Sequence, residues 1–203
     1  MAGFISKKSL ESTFISEEEL WNEFKNGSET AYTYIYQQYS NLLYSYGSKI
    51  STNTELVEDC IQDLFIKLWV NKSNLGNAPS IKNYLLKAFR RSLQEAIQKN
   101  KLKQDSSEKE LDFKLTLSFE SENSQHQIHL EKERKLQLAI EKLSSRQQEV
   151  IYLRFYKKMP NEEIAEIMAI SVPSVYNLVS KALATLENHL YPLSILLLAS
   201  LLD

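Results

Sequence analysis

The stretch NEEIAEIMAISVPSVYNLVSKAL, residues 161–183, decides how this chain is read. It predicts two short helices around a tight turn. Asn161 is expected to cap EEIAEIMA, whose leading glutamates face the positive end of a helix. Ser171 is expected to cap the helix that follows, where Pro173 is tolerated because first-turn amides have no intrahelical partner. Val175, Val179, Ala182 and Leu186 recur at i, i+4, i+7 and i+11 and therefore face a core. Ser174, Tyr176, Asn177, Leu178 and Lys181 are left facing outward. This is the outline of a helix-turn-helix, yet its second helix offers only Lys181 as a cation before Glu187.

Working back towards the N-terminus, Pro160 is expected to end a helix in SSRQQEVIYLRFYKK, with Ser144 as N-cap and Gln147 in the capping-box position. EKERKLQLAIEKL before it is amphipathic, so a compact C-terminal domain is predicted over 134–190. Residues 101–133 are polar for longer than loops within compact domains usually are, and read as an interdomain linker. Within it Leu111, Phe113, Leu115, Leu117 and Phe119 alternate strictly. That pattern fits an extended segment lying on a partner or groove, or an edge ribbon against its own domain. His126 and His129 stand at i, i+3, but two histidines without a third ligand do not make a metal site.

Before the linker lies a strongly basic helix. Lys82, Lys87, Arg90, Arg91, Lys99, Lys101 and Lys103 oppose the single acid Glu95, a local net charge of +6 within a chain whose total is −2. Ile81, Leu85, Ala88, Ser92 and Ala96 set its expected inward stripe. A charge run is often no more than a solvated helix face. Here the cations share their helix with YLLKAF, and aromatics beside cations suit a nucleic acid strand. The preceding helix, TELVEDCIQDLFIKLWVN, buries Val57, Cys60, Ile61, Leu64, Phe65 and Leu68 on one side and turns Glu58, Asp59, Gln62 and Asp63 to the other. Upstream, Tyr32, Ile35, Tyr36 and Tyr39 form one apolar stripe. Ser16 caps the first helix, with Glu19 placed to complete a capping box, and KNG stops it at Gly27. A first compact domain is thus expected over 17–100, after an N-terminal arm of residues 1–16.

Four Gly, four Pro and few β-branched runs make the expected fold class all-α: two small helical domains joined by a flexible linker, the C-terminal one containing a helix-turn-helix. Cys60 is the only cysteine, which excludes an internal disulfide framework. The start MAGFISKKSLESTF lacks the apolar core of a secretory signal, so a cytoplasmic setting is expected. No Gly-rich phosphate loop, metal cluster, or Ser or Cys with a plausible His partner is present, and the reading is of a protein that is not an enzyme, with no cofactor, no metal and no small-molecule substrate.

The order of parts resembles the extracytoplasmic-function sigma factors, the compact two-domain branch of the sigma-70 family. EEELWNEFKNGSETAYTYIYQQY is similar to the family's opening helices, VEDCIQDLFIKLW to its core-polymerase motif, and LSSRQQEVIYLRFYKKMPNEEIAEIMAISVPSV to its C-terminal hairpin. The resemblance implies an alternative sigma factor that binds core RNA polymerase, through the β′ clamp and the β flap, and directs recognition of promoter DNA. It implies that Glu58, Asp59, Gln62 and Asp63, with Leu64, Phe65 and Trp69 beneath or beside them, contact the polymerase clamp helices. It places Lys82, Asn83, Tyr84, Lys87, Arg90 and Arg91 where the family binds and melts the minus-ten element, and LGNAPSIKNY where its base-capturing loop lies. Ser171, Ser174, Tyr176, Asn177, Leu178 and Lys181 fall where it reads the minus-thirty-five element.

Arg91 stands where many relatives carry Asn, and Leu178 and Leu183 where they often carry Arg, so the promoter preference does not transfer from any relative. Two other readings stay open: a helix-turn-helix transcriptional regulator, which would not need VEDCIQDLFIKLW, and a sigma-like interaction protein with degenerate promoter reading. The tail YPLSILLLASLLD, residues 191–203, is apolar at nearly every position but shorter than the roughly 20 residues that cross a bilayer. It is expected to be buried, against its own domain or against an anti-sigma factor.

Overall fold

A computed structural model describes residues 16–102, 111–116 and 126–190. The expectation for the apolar tail falls outside these residues. Among the described residues all regular structure is helical, in two units that divide between Lys109 and Glu110.

The N-terminal unit comprises α1 (Glu17–Lys25), α2 (Glu29–Gly47), α3 (Thr54–Asn71), a short 3-10 turn (Lys72–Asn74) and α4 (Ile81–Leu102). Local chemistry sets each start. The side chains of Ser16, Ser28 and Asn53 accept the amides of Glu19, Ala31 and Leu56 at 3.1, 3.2 and 3.0 Å. Each cap satisfies one of the donors that a helix start leaves without an internal partner. Gly27 follows α1 at φ 94°, a conformation that glycine adopts without a side-chain penalty. Leu20, Trp21 and Phe24 of α1 are buried, as are Val57, Cys60, Ile61, Leu64, Phe65 and Leu68 of α3, the inward set that the periodicity predicts.

Two expected stripes shift. On α2, Ile35 and Tyr39 are buried and Tyr32 is half-buried, but Tyr36 is 41% exposed and rests edge-on against Phe65. On α4 the core face runs through Ile81, Leu85, Leu86, Phe89 and Leu93, while Ala88, Ser92 and Ala96 are only half-buried. The helix is rotated to bury its larger side chains, which remove more apolar area from water than alanine or serine can. α2 ends at the tightest point of the unit. A Cβ on Gly47 would stand 2.8 Å from both Phe89 Cζ and Val57 Cγ1.

The C-terminal unit contains α5 (His126–Ile140), α6 (Ser145–Ile151), a π-helical turn (Tyr152–Tyr156), α7 (Asn161–Met168) and α8 (Val172–Leu190). The side chains of His126 and His129 lie outside the described residues. The Ser144–Gln147 capping box is complete in both directions. Of the segment expected as a linker, Leu111, Phe113 and Leu115 are buried in this unit while Asp112, Lys114 and Thr116 are exposed. Phe113 packs on Tyr152, and Gln148 Oε1 accepts the Leu115 amide at 2.8 Å. Over its described part, residues 111–116, the alternating segment therefore lies against its own domain, the second of the two readings left open by sequence, while Leu117 and Phe119 fall outside the described residues.

Helix ends in this unit depart from expectation at two places. The helix after Ser144 widens at Tyr152 and finishes at Tyr156, before Pro160 can end it, and Lys158 turns back at φ 52°. Asn161 does not cap α7. Pro160, at φ −68° and ψ 156°, already has the extended geometry of an N-cap, so Asn161 becomes the first helical residue and is only 8% exposed. Ala169 then takes φ 53°, with the Ile170 amide bonded to Ala165 O at 3.0 Å, a Schellman closure that glycine usually makes. Ser171 Oγ accepts the Ser174 amide at 3.3 Å and starts α8 as expected. The two helices meet at 100°, within the range of helix-turn-helix pairs.

Gly47→Ala is expected to destabilise the N-terminal unit by about 1–3 kcal/mol through overpacking, read as a lower midpoint in urea at unchanged slope. Ala169→Gly relieves a left-handed alanine and is expected to stabilise the C-terminal unit by roughly 0.5–1 kcal/mol in the same measurement.

Candidate functional site

The polar side of α3 follows from its buried side. With Leu64 and Phe65 at 7% and 1% exposure, helical geometry turns Glu58, Asp59, Gln62 and Asp63 to solvent, and all four are exposed. Trp69 is half-buried, with its ring 5.0 Å from Tyr32 and Lys72 Nζ 4.1 Å above it. Glu58, Asp59, Gln62 and Asp63 thus form one exposed, mainly acidic row, with Leu64 and Phe65 buried beneath it and Trp69 half-buried at its end. Ile66 and Val70, at 57% and 69% exposure, extend that row and are not among the residues that sequence reasoning singled out. Their signal was present: each is apolar at a position the buried stripe turns outward. Cys60 lies on the opposite side; burial, then the charges of Asp63 and Asp59, push its thiol pKa up, which keeps it protonated and unreactive.

The basic surface lies on the same unit. Lys87 and Arg91 are exposed, and Lys82, Asn83 and Tyr84 at the start of α4 are half-buried. Arg91 pairs with Glu95 at 2.9 Å, an exposed i, i+4 bridge of small worth that a phosphate can replace. Arg90 is 9% exposed and shares the inward side with Phe89 and Leu93, so it is the least accessible of the six. The loop Leu75–Ser80 and the first turn of α4 are tied down from α1. Trp21 Nε1 donates to Gly76 O at 2.9 Å, and the Tyr84 ring lies 5.2 Å from the Trp21 ring. Glu17 accepts the Ile81 amide at 3.2 Å and the Tyr39 hydroxyl at 2.8 Å. Burial raises the pKa of Tyr84, and burial together with the bond to Glu17 raises that of Tyr39, so both phenols stay protonated and neutral.

On α8, Val175 and Ala182 are buried and Val179 and Leu186 half-buried, as the periodicity requires. Ser171, Asn177 and Lys181 are exposed and Tyr176 is 58% exposed, whereas Ser174 and Leu178 are half-buried. Ser171 and Ser174 share a 2.7 Å hydroxyl contact beside the helix N-terminus. This face presents hydroxyl, amide and aromatic groups with one cation, a surface that can meet base edges but holds phosphates weakly. Phe155 and Tyr156, 51% and 52% exposed, form a second apolar spot next to Lys157 and Lys158. Among the described residues no group of three His, Cys, Asp or Glu is placed to hold a metal ion, and no single helix is long and apolar enough to cross a membrane.

Comparison with known proteins agrees with this division. Residues 35–102 match Sigma-70 region 2 and residues 133–186 match Sigma-70, region 4. Among solved structures the chain is similar to CnrH, determined in complex with the cytosolic domain of CnrY, at 18% identity over 85% of this chain and 96% of that one, with a TM-score of 0.55. It is likewise similar to the sigma factor RpoE in complex with the anti-sigma factor NepR from Bartonella quintana, at 18% identity over 77% and 94% of the two chains and the same TM-score of 0.55. At that identity the likeness carries the fold. No curated protein matches the sequence significantly. With region 2 matched over residues 35–102, region 4 over residues 133–186, and both in the order the sequence motifs require, the protein belongs to the sigma-70 family.

Proposed function

We propose that the protein is an alternative sigma factor that engages polymerase and promoter through three separate faces. It binds core RNA polymerase and directs promoter recognition and transcription initiation, acting by recognition and not by catalysis. The observation that carries the assignment of faces is the exposed row on α3. Glu58, Asp59, Gln62 and Asp63, continued by Ile66 and Val70, combine charge for steering with apolar area for adhesion. That composition fits the clamp helices of the β′ subunit, with Leu64, Phe65 and Trp69 stiffening the helix from behind.

On α4 the exposed Lys87 and Arg91 and the half-buried Lys82 neutralise phosphates, and Asn83 and Tyr84 border the Leu75–Ser80 loop, which takes up an unstacked base of the minus-ten element. Arg90 supports this surface from the inward side. On α8, Asn177 and Tyr176 read base edges at the minus-thirty-five element, Leu178 packs on a thymine methyl, and the Ser171–Ser174 turn meets a phosphate at the helix N-terminus. Phe155 and Tyr156 give the C-terminal unit an apolar footing for the β flap. The site of action is the cytoplasm. CnrH and RpoE were each captured with a protein partner, and an anti-sigma factor belongs to this reading of the chain.

Run-off transcription with core polymerase on a promoter library tests the whole assignment, because transcripts report activity and both elements at once. Asp59→Lys combined with Asp63→Lys is expected to weaken core binding by about tenfold or more at unchanged helicity, and unchanged affinity would remove the α3 face. Asn177→Ala in the holoenzyme is expected to alter promoter choice at the upstream element only, with discrimination reduced by about 1–3 kcal/mol at the base that Asn177 reads. Unaltered choice across the library would leave the hairpin without a reading role.

A further inference from the structure

The contacts that α1 makes with the loop and with α4 go beyond what packing requires. A buried tryptophan needs a partner for its indole N–H, but Trp21 takes one 55 residues away, the Gly76 carbonyl, at 2.9 Å. Glu17 stands 64 residues before Ile81, yet its carboxylate accepts the Ile81 amide at 3.2 Å. That amide is the first of α4, where an acid in hydrogen-bond reach both satisfies a donor and complements the helix dipole. The other carboxylate oxygen is held by the Tyr39 hydroxyl at 2.8 Å, so Glu17 is anchored on α2 before it reaches α4. Ser80 Oγ accepts the Asn83 amide at 3.2 Å and completes the start of the helix from the loop side. The Trp21 ring also borders Tyr84, at 5.2 Å.

One helix therefore grips both ends of the Leu75–Ser80 loop: Trp21 holds its beginning and Glu17 the helix start that follows it. We infer that Trp21 and Glu17 are positioning residues for promoter melting, fixing from α1 the loop and the first turn of α4 in the geometry that accepts an unstacked minus-ten base. Neither residue touches DNA. Trp21 is 2% exposed and acts through the Gly76 carbonyl; Glu17 acts through the backbone of Ile81. The physical basis is preorganisation. A loop held at both ends offers a formed pocket to a flipped base, whereas a loop free at one end must be ordered when the base arrives, at a cost to binding. The inference rests on the proposed role of this loop in base capture.

The test uses the full chain assembled with core polymerase. Trp21→Phe keeps an aromatic ring and removes the bond to Gly76; Glu17→Gln keeps the shape and removes the charge at the start of α4; Asn77→Ala changes the loop itself. Core affinity, thermal midpoint, open-complex formation and base preference across a minus-ten library are measured for each. Trp21→Phe and Glu17→Gln are each expected to leave core affinity unchanged, slow open-complex formation roughly tenfold and flatten the preference at one minus-ten position, the same position that Asn77→Ala affects. A preference altered by Asn77→Ala but by neither α1 variant overturns the inference and leaves the role of the loop standing. A preference altered by none of the three removes the role of the loop, and the inference with it. A loss of melting matched by an equal loss of core affinity also overturns it, since damage to the fold alone would give that result.

Discussion

The crossing of α2, α3 and α4 at Gly47 is the constraint on which the N-terminal unit depends. The side chains of Val57 on α3 and Phe89 on α4 both reach to 2.8 Å from where a Cβ would be, so the end of α2 fits against both helices only because that side chain is missing. Interiors are packed to crystal density and do not absorb even one methyl group without movement. The acidic row of α3 and the basic start of α4 ride on helices that meet at this point. Their relative placement is therefore set by hard contact, and the N-terminal unit carries the acidic and the basic surface together.

Charge is divided accordingly. The chain is close to neutral overall, but the span from Lys82 to Lys103 carries seven cations against one acid, while the exposed face of α3 carries Glu58, Asp59 and Asp63. Phosphate neutralisation supplies most of the sequence-independent affinity of a DNA-binding protein. Under the proposed function, α8 with Lys181 as its cation would bind as the second point of a tethered pair, where effective concentration substitutes for intrinsic affinity. Weak, mainly neutral groups on α8 suit that position, because strong phosphate binding there would hold the protein on DNA without regard to sequence.

The C-terminal unit reaches the same helix-turn-helix geometry with unusual residues at its turns. Lys158 and Ala169 occupy left-handed conformations at φ 52° and 53° where glycine would be unstrained, and the helix before them widens into a π turn. Such strain persists only where surrounding structure over-determines the backbone. Buried Met159, Ile164, Ile167 and Met168 supply that determination around the two turns, and Phe113 adds to it by packing on Tyr152 from the segment before α5.

Sequence by itself determined the helices and their inward faces wherever periodicity and caps agree: the buried set of α3, the exposed acids opposite it, the capping box at Ser144, and the turn at Ser171 between paired helices. These are legible because side-chain spacing and end chemistry are local, and the motifs of the family overlay them in register. Tertiary structure decided what depends on residues far apart. On α4 two overlapping stripes share Ile81 and Leu85, and packing in the folded unit selected the one that continues through Leu86, Phe89 and Leu93, which buries Arg90 and leaves Ala88 half-buried. Asn161 has no capping role because the preceding proline already holds the needed geometry and the core draws the side chain inward. The spacing of α3 already turns Ile66 and Val70 outward, and the fold decided that they stay exposed beside the acids, at 57% and 69%. The alternating segment at Leu111 meets its own domain because Tyr152 and Gln148 lie there to receive it. The ties from Trp21 to Gly76 and from Glu17 to Ile81 span 55 and 64 residues, and only the folded chain brings such partners within hydrogen-bond reach.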